Sequence, residues 1–200
     1  MTKLLIASKN NHKIEKITCI FTDKFTDIKS LDDIELKIEI IENANSFIEN
    51  AKIKSLKLSK TFDGYVIATD GGAVIPALTE IWNPLFTKRF VGENKTDEDR
   101  VNAMLKLMEN KIDRRIWFIE AFVICKDGDV VFEVETTSPV GQIVEKWDGR
   151  IKFGAYLLAL WYLPNREKMF FDLTKEEIAE EENTWCELGE KTASLEFSLK

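Results

Sequence analysis

Tyr65-Val66-Ile67-Ala68-Thr69-Asp70-Gly71-Gly72 sets four apolar residues directly before a carboxylate and two glycines. The apolar quartet predicts a buried strand, and the glycine pair lets the backbone turn tightly, so the strand is expected to stop near Thr69. Asp70 then projects from the strand's carboxyl end, where ligands gather in open α/β sheets. A carboxylate in that place can ligate a metal or take a proton from water. It can equally be the first residue of an Asp-Gly-Gly turn.

Upstream, Ser46-Phe47-Ile48-Glu49 has the spacing of a capping box and predicts a helix running to about Lys60. Glu49 has two readings, a carboxylate that closes the cap or one that holds magnesium. Lys54 lies one turn beyond Asn50 and shares its face. Further back, the run Leu4 to Ala7 predicts a strand, and Ile14, Ile17, Ile20 and Phe21 recur at helical spacing. Ser8-Lys9-Asn10-Asn11-His12-Lys13 joins them. A chain leaving a strand for a helix presents free backbone N–H groups and the positive end of the helix dipole, and Ser8, Asn10 and Lys13 add a hydroxyl, an amide and a cation. An ordinary capped surface helix accounts for the same residues.

Between these segments, Ile34, Leu36, Ile38 and Ile40 alternate with charged residues and predict a strand from Ser30 to Ile41. Downstream, Thr96 to Asp99 opens another helix carrying Val101, Met104, Leu105 and Met108. Ile116 to Cys125 and Val130 to Glu135 flank Lys126-Asp127-Gly128-Asp129, a hairpin with an Asp-Gly turn. Gly141 to Val144 continues the strands, and Thr174-Lys175-Glu176-Glu177 begins a final acidic helix. The class is mixed α/β, with no internal repeat and no Pro/Gly-rich boundary.

Composition narrows the function. The chain has 200 residues, enough for one domain or two packed lobes, and 35 acidic against 28 basic residues give a formal charge of −7. Such a surface repels a long nucleic acid, while a local group of lysines or a divalent metal can still hold a small anion. The longest apolar run, Ala155 to Leu163, falls well short of the ~18 residues a membrane span needs. A cytoplasmic protein is expected. Cys19, Cys125 and Cys186 form no CxxC pair, and the single His12 cannot complete a soft zinc site with them, so reduced, buried thiols are expected.

Several segments in order carry a family resemblance. Ser8 to Lys13 resembles the T/S-x-N-x-x-K loop of the inosine-triphosphatase (Ham1-type) pyrophosphatases. Phe47 to Lys54 is similar to that family's F-x-E-N-A-x-x-K helix, and Ala68-Thr69-Asp70-Gly71-Gly72 to its A-D-D-S-G segment. Asn83 to Phe90, with Arg89, looks like P-G-x-x-S-A-R-Y. Phe153-Gly154 stands where the family has G-F-G-Y-D-P, and Asp172 to Glu177 resembles E-L-T-x-E-E. The resemblance implies an elongated mixed sheet with flanking helices and two closely packed lobes around a central cleft, all within one domain, residues 1–200. It implies a homodimer that hydrolyses a nucleoside triphosphate, such as inosine or xanthosine triphosphate, to the monophosphate and pyrophosphate with Mg2+. Carried over by position, Asp70 is the catalytic carboxylate, with Glu49 and Asp70 on the metal. Ser8, Asn10, Lys13, Asn50, Lys54, Gly71, Arg89, Phe153 and Gly154 fall on the substrate, and Asn183 and Trp185, in a segment that departs from the family, are expected there too.

The departures cluster. Thr69 replaces the first aspartate of the pair, Ile178 replaces a lysine, and Glu182-Asn183-Thr184-Trp185 stands where the family's S-H-R-G reads the purine's 6-oxo group. A site that reads a keto group discriminates only while its donors remain. Three readings stay open: another base is selected, with Trp185 or Tyr156 stacking and Asn183 reading an edge; an unselective pyrophosphatase survives; or the chain binds nucleotide without turnover.

Overall fold

A computed structural model describes residues 2–34, 40, 43–87, 90–92, 94–152, 155–181 and 183–197. In chain order the elements are β1 (Lys3–Ile6), α1 (Asn11–Phe21), β2 (Asp27–Ser30), α2 (Phe47–Ser59), β3 (Tyr65–Val74), α3 (Asp97–Leu107), β4 (Arg115–Lys126), β5 (Asp129–Thr137), β6 (Gly141–Ile143), β7 (Trp161–Leu163), β8 (Lys168–Met169), α4 (Lys175–Glu181) and α5 (Asn183–Thr192). They divide into two compact units: Met1–Gly71 with Glu120–Thr136 and Thr184–Lys200, and Gly72–Ile119 with Thr137–Asn183.

In the first unit β1 pairs parallel with β2 (Lys3↔Asp27) and with β3 (Leu4↔Tyr65). The strand order is β2-β1-β3-β4, with β5 on β4. Parallel neighbours need crossovers, and α1 and α2 are those crossovers. Alternation along each strand sends successive side chains to opposite faces. Tyr65 and Ile67 of β3 and Phe122 and Ile124 of β4 join Leu4, Ile6, Ile17, Phe21, Trp185 and Leu188 in one core, against α1 and α5. Val66 and Ala68 join Leu5, Ala7 and Leu58 on the α2 side, where Val123 and Cys125 meet Ala51. Burial pushes the Cys125 thiol up from its ordinary value. Continuing the same parity, Thr69 and Glu120 belong to the α1 face and Asp70 to the α2 face.

In the second unit β6 runs antiparallel to β4 (Arg115↔Gln142), β7 to β6 and β8 to β7. Its core gathers Trp82, Met104, Ile116, Leu160, Trp161 and Phe170. Gly141 is required there, because a Cβ would lie 2.0 Å from Trp161 Nε1. The β4–β5 hairpin turns as its sequence predicts, with Asp127 (φ 52) and Gly128 (φ 87) both left-handed.

Several sequence expectations change. Of the three thiols expected to be buried, Cys125 is buried, while Cys19 and Cys186 are exposed. β3 does not stop at the glycines but continues to Val74. Gly71 and Gly72 stay out of the left-handed region, where they would have reversed the chain, and Ala73 beyond them is fully buried. The strand expected from Ser30 to Ile41 ends where it was to begin. Asp33 Oδ2 accepts from Ser30 N and from Ser30 Oγ, both at 2.7 Å, and this local ring closes a turn after β2. Its later residues, 35–39 and 41, lie outside the described residues. The single acidic helix expected at the end is two, α4 and α5, and Trp185 and Leu188 of α5 complete the first unit's core.

Candidate active site

Thr69 and Asp70, consecutive on β3, draw in side chains from three other elements. From α1, Lys13 Nζ donates to Thr69 Oγ1 at 3.0 Å and to Glu120 Oε1 of β4. From α2, Lys54 Nζ donates to the Thr69 carbonyl at 2.9 Å, and Asn50 Nδ2 donates to Asp70 Oδ2 at 3.0 Å. Asn50 and Lys54 are one helical turn apart, so both reach the same stretch of β3. Asn50 is 5% exposed, and its Oδ1 accepts from Ala44 N at 2.9 Å. That second bond fixes the amide: oxygen toward a donor, nitrogen toward the carboxylate. Asp70 is therefore an oriented carboxylate within a strand, and the turn reading of Asp-Gly-Gly falls.

The first loop is built differently from the sequence expectation. Its N–H groups are met from within: Ser8 Oγ accepts from Asn10 N at 3.1 Å, and Asn10 Oδ1 accepts from His12 N at 3.0 Å and Lys13 N at 3.4 Å. Asn10 is the N-cap of α1. Ser8 and Asn10 thus brace and cap the start of α1, and what the loop directs toward β3 is Lys13.

Glu49 is also resolved by geometry. Ser46 Oγ accepts from Glu49 N at 3.3 Å, so the serine caps α2. The Glu49 carboxylate turns to Lys52 Nζ at 3.2 Å, and the same ammonium reaches Glu133 of β5 at 2.8 Å. These two carboxylates hold the Lys52 ammonium above its ordinary range, Glu133 the more strongly. Glu49 is thus a half-exposed carboxylate on the first turn of α2, one residue from Asn50.

Gly71 follows Asp70 in β3. Trp185 is 9% exposed, with its ring 5.1 Å from Phe122 and 6.3 Å from His12, both edge-on. It is a core residue of α5, and the stacking surface expected of it is taken by packing. Tyr156, the other expected stacker, is 3% exposed and donates to the Thr87 carbonyl at 2.6 Å. Asn183 begins α5, while Arg89, Phe153 and Gly154 lie outside the described residues.

Glu120 was missed. Its signal is nevertheless in the sequence, since it is the one charged residue in the ten from Ile116 to Cys125. A charge that interrupts a buried strand needs a partner, and the informative residue is the buried polar one. Among the described residues no three His, Cys, Asp or Glu side chains come together as a metal cage. The carboxylates present are hard oxygen donors of the kind magnesium takes one or two at a time, with phosphate and water filling its other positions.

Two lysines, from α1 and α2, and an oriented carboxylate thus meet at consecutive residues of β3 in an α/β unit. The chain belongs to the Ham1 family, whose profile matches residues 4–181. It is 34% identical over 179 residues to a dITP/XTP pyrophosphatase of Thermoanaerobacter pseudethanolicus, covering 88% of this chain and 87% of the relative. A dITP/XTP pyrophosphatase of Staphylococcus aureus is 31% identical, with 88% of each chain covered. Among solved structures, the Staphylococcus aureus Ham1 protein superposes with a TM-score of 0.80 at 26% identity, covering 96% of this chain and 98% of that one. A HAM1 protein from Coxiella burnetii reaches 0.83 at 22% identity, covering 98% and 100%, a likeness of fold.

Proposed function

We propose that this protein is a nucleoside triphosphate pyrophosphohydrolase acting on a dITP- or XTP-like nucleotide. The observation that carries the reading is the meeting of Lys13, Lys54 and the Asn50-held Asp70 at two consecutive residues of β3. Lys13 and Lys54 bring positive charge to a polyphosphate tail, each held against β3 by a hydrogen bond to Thr69. Asp70, oriented by Asn50, takes the proton of the attacking water. The water oxygen bonds to the α-phosphorus as the bond to the bridging oxygen breaks, and the electron pair leaves with pyrophosphate. Catalysis of phosphoryl transfer is largely positioning and charge stabilisation, which suits a site of lysines and one carboxylate.

Magnesium fits this donor set, with Glu49 and Asp70 as the residues that would hold it. When bound it neutralises phosphate charge that the two lysines leave uncompensated. Ser8 and Asn10 keep a part as the scaffold that aims α1; Arg89, Phe153 and Gly154 are proposed for the substrate by the family motifs they match, and Asn183 for the base because it stands where the family's base-reading segment falls. The chain crosses between its two units at 71/72, 119/120, 136/137 and 183/184, so we treat residues 1–200 as one functional domain. A homodimer is proposed by family likeness, and light scattering giving the mass of a single chain would remove it. No helix among the described residues is long and apolar enough to cross a membrane, in keeping with a proposed cytoplasmic location.

The test is pyrophosphate release across dITP, XTP, ITP and the four common triphosphates with magnesium. Release from a deaminated purine triphosphate is the expected outcome. Nucleotide binding with no release from any of them would favour a binder without turnover. That second reading is motivated by Thr69, a hydroxyl where the family motif has a carboxylate.

A further inference from the structure

Glu120 has no part in the chemistry above, yet it touches the residue that would receive the phosphate. Its side chain is 14% exposed and that of Lys13 22%, so neither partner is a freely solvated surface charge. Lys13 Nζ is tied at once to Glu120 Oε1 and to Thr69 Oγ1. Two bonds to one nitrogen place the Glu120 oxygen within two hydrogen-bond lengths of the Thr69 hydroxyl. Strand parity agrees, since Thr69 and Glu120 both continue the α1 face of their strands, whereas Asp70 points to the α2 face. The backbone beneath Glu120 is held as well: Thr136 Oγ1 donates to the Glu120 carbonyl at 3.2 Å.

We propose that Glu120 is a resident carboxylate of the phosphate site, occupying Lys13 in the empty protein and exchanged for a phosphate oxygen when a polyphosphate binds. An ammonium has three donors and no acceptor. Two of those of Lys13 already reach Glu120 and Thr69. A phosphate brought to Lys13 meets a second anion on the same cation, and like charges at that separation repel. Glu120 has to leave before the phosphate gains the full attraction of the lysine. Until then it helps hold the lysine ammonium against β3. Glu120 thus sets how tightly the site takes an anion, a positioning residue acting through Lys13. The inference rests on Lys13 as a phosphate ligand, the reading proposed above.

The experiment measures binding of inorganic pyrophosphate, with magnesium, to the whole chain by calorimetry, for wild type, Glu120→Gln, Lys13→Met and the double variant. Glu120→Gln keeps the shape and removes the charge. Its pyrophosphate Kd is expected to fall roughly two- to fivefold, the range of a partly exposed charge pair. For whichever triphosphate the panel turns over, KM should fall by a like factor with kcat unchanged, because ground and transition states gain alike. In the Lys13→Met background the Glu120→Gln effect should shrink, since the contested cation is gone. Should Glu120→Gln melt too low to assay, Glu120→Asp serves: it keeps the charge, withdraws the oxygen by one methylene, and should also tighten binding. If Lys13→Met weakens binding while Glu120→Gln weakens it or leaves it unchanged, Glu120 only props the lysine and the inference fails alone. If Lys13→Met binds pyrophosphate like wild type, the phosphate site itself is wrong and the inference falls with it.

Discussion

Asp70→Asn separates chemistry from folding at the residue on which the proposed reaction turns. The substitution leaves the shape of the side chain and removes its charge. Asn50 Nδ2, 3.0 Å from Asp70 Oδ2, then faces an amide whose oxygen can rotate to accept the same bond. A hydrogen bond to a charged group contributes about 1.5–3 kcal/mol and a neutral one about 1 kcal/mol. The expected loss of stability is the difference, on the order of 1 kcal/mol, or a few degrees in Tm. The rate should fall much further. A positioned general base contributes about 10²- to 10⁴-fold, and an amide can neither take the proton nor serve magnesium as a carboxylate does. The assay is pyrophosphate release at saturating triphosphate and magnesium, alongside a thermal melt of the same preparation. A kcat within tenfold of wild type, with Tm unchanged, would refute the role given to Asp70. A collapse of Tm would refute the view that Asn50 accommodates either side chain.

Glu49→Gln should leave α2 capped, because the cap is Ser46 Oγ, and should lower stability by no more than about 1 kcal/mol, since the Lys52 pair is half exposed. The magnesium concentration needed for half-maximal rate should rise severalfold; an unchanged requirement would take Glu49 off the metal. Stability should fall in acid. The Arg115 guanidinium holds Asp113 down at about 2, and Lys168 holds Glu177 below its ordinary value. A carboxylate depressed on folding stabilises above its unfolded value, near 4 for both residue types. That contribution is lost as pH falls through the folded value. Tm should therefore decline from about pH 4.5 downward, with the Asp113 part lost last, near pH 2. Arg115→Gln should remove that final part, and a Tm flat from pH 5 to 2 would contradict the assignment.

Much of the first unit was legible in the sequence. The helix at Phe47 was announced by Ser46, the hairpin by Asp127-Gly128, and the buried strand by Tyr65 to Ala68. Each is a local signal: a cap, a turn that wants left-handed backbone, a short apolar run. The motif residues Lys13, Asn50, Lys54 and Asp70 were legible too, and the fold brings all four to one place. What misled was also local. Gly71-Gly72 suits a turn or a strand equally, and the buried Ala73 beyond them made it a strand. Trp185 promised a stacking surface from its aromatic ring alone, and the core of α1 and α5 absorbed it.

By itself the sequence determined the class of fold, the family and the side chains proposed to meet phosphate, because periodicity, caps and motif spacing are written within a few residues of one another. Which carboxylate each lysine meets was decided only in three dimensions. Glu120 is 107 residues from Lys13 along the chain, and strand pairing and parity alone set them on one face. A polar side chain takes the partner that folding leaves within reach, and a buried charge keeps whichever counter-charge the sheet brings beside it.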